Sequence, residues 1–75
     1  MLLITIIPGT TEDARHEIAC YRNAYACQTI TETAEAVTLL TFDAEAAPVF
    51  MDMEHNTPAD ITTDPETITA AIMAA

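Results

Sequence analysis

The chain has no Lys, no Ser and no Trp, one Gly (Gly9), and only two Arg, Arg15 and Arg22. Without Ser there is no serine nucleophile, and a single Gly cannot build a phosphate-cradling loop or a nucleophile elbow. The near absence of cations removes the basic footprint that nucleic acid and anionic lipid require. Twelve Asp and Glu against two Arg leave a formal charge of −10. A GC-rich genome would exchange Lys for Arg, yet here both are scarce, so positive charge itself has been removed. Two cysteines, Cys20 and Cys27, are too few for the disulfide framework of a small secreted domain. On one helix, their spacing puts the Cα atoms about 10 Å apart, beyond disulfide reach. Both are expected to be reduced thiols in a cytoplasmic protein. The apolar start, Met1 to Ile7, has no basic flank and is too short for a signal peptide or membrane span, so no membrane association is expected.

What is present is enough for one small domain, residues 1–75, with a single core. Leu2 to Ile7 is an unbroken aliphatic run ended by Pro8-Gly9, which suits a central strand covered on both faces. Thr10 or Thr11 then caps a helix over about residues 11 to 25, with Glu12 and Asp13 in its first turn, where the helix dipole favours anions. Ala14, Ile18, Tyr21 and Tyr25 form its buried stripe, and Glu12, Arg15 and Arg22 its wet side. Thr29–Glu32 and Ala36–Asp43 read as two strands joined by a hairpin. Strand, helix, strand in this order implies a right-handed crossover with the first two strands parallel. Residues 44 to 54 fit a helix by the spacing of Ala46, Phe50 and Met53, and a strand by the alternation of Val49, Met51 and Met53. Pro48 weighs against a helix interior, so a short strand over about 49 to 54 is expected. Asp64-Pro65-Glu66 starts a last helix, with Ile68, Ala71, Ile72 and Ala75 as its apolar stripe. The predicted fold class is α+β: a small βαββ(β)α sandwich, with a three- or four-stranded mixed sheet and two helices packed on it.

Candidate chemistry is sparse. Glu12, His16 and Cys20 recur every four residues and could meet as metal ligands, but no CxxC or HxxxH pair accompanies them. Asp52, Glu54, His55, Asp60 and Asp64 lack the fixed offsets and turning Gly of a calcium loop. A nucleophile would have to pair Cys20 or Cys27 with His16 or His55. Tyr21 and Tyr25 could stack bases, but lie on the apolar stripe and read as core. No catalytic residue, no metal and no cofactor is expected, and the chain is not expected to be an enzyme.

The outstanding feature is Asp43 to Glu66, with seven carboxylates and no Lys or Arg. Asp64 and Glu66 start the last helix and Asp43 ends or caps an element, so these three have local duties. Glu45, Asp52, Glu54 and Asp60 have none, and are the expected partner-binding residues. As a strand, residues 52 and 54 would set two carboxylates about 6.6 Å apart on one face, a row that resembles phosphates to a basic groove.

In size and charge the chain is similar to small phage-encoded inhibitors of the anti-restriction and anti-CRISPR type, many of which occupy nucleic-acid sites; the likeness is one of composition. It implies a non-enzymatic acidic protein that blocks a basic surface of a nucleic-acid-handling complex by charge mimicry, in the host cytoplasm if phage-encoded. Two other classes fit the same charge: an acidic structural or housekeeping domain of a halophile, possible as a homodimer paired at a sheet edge, and an antitoxin-like partner of a basic toxin.

Overall fold

A computed structural model describes all residues from Met1 to Ala75. The first strand, β1 (Leu2–Ile7), lies inside a four-stranded sheet, between β3 (Val37–Thr41) and β4 (Thr57–Thr62). This position explains its unbroken apolar run. Leu2, Ile4 and Ile6 enter one core, and Leu3 enters a second on the opposite face.

Helix α1 (Glu12–Ala24) begins as the sequence predicts: Thr11 Oγ1 accepts the Ala14 N–H at 3.1 Å, and Glu12 and Asp13 occupy the first turn. It ends where Ala26 turns left-handed (φ 49°). Cys27 N–H then donates to the Arg22 carbonyl and Ala26 N–H to that of Asn23. These two bonds make a Schellman ending, with Ala where Gly is usual. Strand β2 (Gln28–Glu32) and β3 form the expected hairpin, and the Thr33 hydroxyl accepts from the amides of Glu35 and Ala36 in its turn.

The spatial order is β2-β3-β1-β4, and every bonded pair is antiparallel. Strands β1 and β2 run in the same direction, as the crossover requires, but β3 is inserted between them. Helix α1 and a second helix, α2 (Ala46–Met51), cover one face of the sheet through Ile18, Ala46 and Phe50. The third helix, α3 (Pro65–Ala74), covers part of the other face through Ile68. From β1 to β4 the connectivity and strand order are those of a ferredoxin-like βαββαβ unit. That topology serves many unrelated functions and decides none.

The fold is the expected α+β sandwich, but residues 49 to 54 are not a strand. Helical spacing wins there because it buries both Ala46 and Phe50 completely. Pro48 is no obstacle, since it is the third residue of α2, where a backbone N–H would lack an intrahelical partner anyway. The sheet's fourth strand is instead Thr57–Thr62, and the helices number three, not two. Pro58 is tolerated because β4 is an edge strand, and it faces Ile6 next to a break in the register at Thr5/Ile6. No helix is long and apolar enough to cross a membrane.

Candidate functional site

Helix α1 divides the surface electrostatically. Its buried stripe runs through Ala14 and Ile18, with Tyr21 and Tyr25 half-buried against Phe50. The Tyr21 ring meets Phe50 edge-on at 5.5 Å and the Tyr25 ring is tilted at 6.2 Å. Both tyrosines are therefore core residues, as expected, not a base-stacking platform. Glu17 and Tyr21 leave the helix toward α2, while Arg15, Ala19 and Arg22 leave it toward the β2–β3 hairpin.

On the α2 flank the Glu17 carboxylate accepts three hydrogen bonds. They come from the amides of Glu54 (2.8 Å) and His55 (3.0 Å), and from Asn56 Nδ2 (2.9 Å). Asn56 is buried, and its amide also donates to the Ala14 carbonyl and accepts the Gly9 N–H, each at 2.9 Å. One side chain thus ties the β1–α1 loop, α1 and the α2–β4 loop together. The packing there is tight enough that a Cβ on Gly9 would collide with the His55 carbonyl oxygen. Burial alone would raise the Glu17 pKa, but the three donors and nearby His55 outweigh it and hold the carboxyl below its usual range.

Asp52, at the C-terminal end of α2, and Glu54, just beyond it, lie exposed beside this network. Tyr21 senses them: burial first, then the carboxylates of Glu17, Glu54 and Asp52, push its hydroxyl pKa up. Glu45 stands at the opposite end of α2, where its backbone N–H bonds Asp43 Oδ1 at 2.9 Å and its carboxylate is free. Asp60 lies on edge strand β4 opposite Thr5, next to Ile61, which packs into the α1–α2 core. The Asp60 side chain therefore points away from that core. The four residues do not form one cluster. Asp52 and Glu54 are together, Glu45 is at the far end of the same helix, and Asp60 is on the strand that follows. With α2 helical, the row of carboxylates expected from a strand over 49–54 does not form. All four side chains are nonetheless exposed, and none of their carboxylates takes part in a hydrogen bond or ion pair. Asp43 and Asp64 do have local duties: Asp43 closes the turn into α2, and Asp64 caps α3 through Thr67. The Thr67 hydroxyl and amide lower the Asp64 pKa.

The other flank of α1 is a half-open cleft of about 670 Å³ between the helix and the β2–β3 hairpin. Arg15 and Arg22, the chain's entire basic complement, both line it. Arg22 Nη1 donates to Thr29 Oγ1 at 3.1 Å and lies 3.5 Å from Glu32 Oε1, whereas the Arg15 guanidinium has no partner.

The remaining candidates are isolated. His16 Nε2 lies 3.5 Å from Cys20 Sγ on the exposed side of α1, outside any sizeable cavity. No three His, Cys, Asp or Glu side chains converge to hold a metal. Both cysteines are free, and burial pushes the Cys27 thiol pKa up against the opposing pull of Thr41 and Arg22. Comparison with protein-family models, curated proteins and solved structures finds no match for this chain.

The roles of Glu17 and Asn56 are not legible in the sequence. Their partners lie 37 to 47 residues away, so no local pattern marks them.

Proposed function

We propose that this is a non-enzymatic acidic binding protein that docks the α2 side of the domain onto a basic protein surface and blocks it by charge mimicry. The surface would be one that a nucleic-acid-handling complex normally presents to phosphates. The observation that carries this reading is Asp52 and Glu54, two exposed and unpartnered carboxylates on a flank that holds no Lys or Arg. Glu45 and Asp60 would extend the contact around α2 and along β4. Release of counterions from the partner's groove would drive association, much as it does for a bound phosphate backbone. An inhibitor of anti-CRISPR or anti-restriction type, carried by a phage or mobile element and acting in the host cytoplasm, fits these requirements.

The test is displacement of duplex DNA from candidate host nucleic-acid-binding complexes, followed over a salt series. Inhibition that falls steeply with salt and is lost in Asp52→Lys/Glu54→Lys supports the reading. Inhibition unaffected by either sinks it.

A second reading draws on the acids outside this flank: Glu12, Asp13, Glu35 and Glu66 are also exposed, on α1, the β2–β3 turn and α3. Acidity spread over every side suits a structural domain adapted to a high-salt cytoplasm. That version predicts unfolding at low ionic strength and a Tm that climbs into molar salt. The inhibitor reading instead predicts a domain that stays folded at low salt.

A further inference from the structure

The two arginines pose a separate question. A chain stripped of positive charge has kept both of its cations in one cleft. Arg22 has an evident structural role, since it sits in the last turn of α1 and ties the helix to β2 through Thr29 and Glu32. Arg15 has none. Its guanidinium contacts no acceptor, although the chain contains twelve carboxylates. The cleft floor is apolar, formed by the buried Ile18 and Val37, with Thr33 on the hairpin side. Its volume is within the range of about 300–1,000 Å³ typical of small-molecule sites.

We propose that this cleft binds a small organic oxyanion, with a carboxylate or phosphate head held by Arg15 and Arg22 and an apolar body against Ile18 and Val37. Guanidinium suits either head, because its planar fork offers paired donors to two oxygens at once. Arg22 is already positioned by Thr29, while Glu32 neutralises part of its charge in the free protein. Glu32 therefore competes with the ligand, and removing its charge strengthens binding. The site is independent of the acidic flank, so either reading can fail alone.

The experiment is a ¹⁵N NMR titration of the full chain with phenyl phosphate and, separately, benzoate, at an ionic strength of about 0.15 M to screen the overall negative field. Saturable shifts are expected at the amides of Gly9, Thr10, Thr33 and Ala34, and the head group that saturates first identifies the ligand class. Arg15→Gln is expected to weaken binding about tenfold or more with its Tm unchanged. Glu32→Gln is expected to tighten it. Two results overturn the proposal: no saturation at those amides by about 10 mM of either probe, or an Arg15→Gln protein that binds like the wild type.

Discussion

The two flanks of α1 are built from one helix and carry opposite charge, yet they share a design. Each has a tethered ionic group and at least one left free. Glu17 is held by three donors and Arg22 by a hydroxyl and a carboxylate. Asp52, Glu54 and Arg15 contact no counterion or hydrogen-bond donor or acceptor through their charged ends. The tethered groups are accounted for by the fold. The free ones are not, and they are where binding is to be sought.

The largest effect should come from removing what both flanks rest on. Phe50 is fully buried beneath Tyr21 and Tyr25, so Phe50→Ala should cost about 3–5 kcal/mol in urea unfolding, a large share of the stability of so small a domain. Asn56→Ala removes one of Glu17's three donors and strands the Gly9 N–H, with an expected loss of about 1–3 kcal/mol.

Glu17→Gln sharpens the comparison through pH. The carboxyl titrates lower in the folded protein than in the unfolded chain, so the unfolded chain takes up the proton first on acidification. The stabilisation is present above the ordinary carboxylate pKa and is lost as pH falls through the lowered one. The gap in stability between wild type and Glu17→Gln should therefore be open at pH 7 and narrow in acid. A gap of constant size would assign Glu17 a packing role instead. On the basic flank, Arg22→Gln should cost at most about 1 kcal/mol, because its ion pair is exposed. Arg15→Gln, Asp52→Asn and Glu54→Gln should leave the melting curve where it is. A clear destabilisation by any of these three would turn a free group into a tethered one and remove it from the candidate sites.

The parts of the fold legible in the sequence are those with local signals. β1 is marked by its unbroken aliphatic run, α1 and α3 by the caps Thr11 and Asp64, and the hairpin by its Thr-rich strands. Residues 44 to 62 are less legible because both of their prolines fall at permitted but uncommon places. Pro48 is in the first turn of α2 and Pro58 on an edge strand. What makes Thr57–Thr62 a strand is its pairing with β1, which no pattern within those six residues encodes. The free carboxylates Asp52 and Glu54 could be picked out as charges without a local duty. The cleft could not, because Arg15 and Arg22 read simply as the wet side of a helix until the hairpin closes over that side.

The Asn56 amide has a kinetic consequence. It joins segments separated by 47, 42 and 39 residues, so its bonds require both loops and α1 to be in place already. Contacts that span so much chain are costly to close early and belong after the main folding barrier. Loss of Asn56 should then hasten unfolding and leave the folding rate nearly untouched. The Gly9 amide, in a loop yet bonded to a residue 47 positions along the chain, becomes a natural clock for that opening: its hydrogen exchange should be slow among fast neighbours.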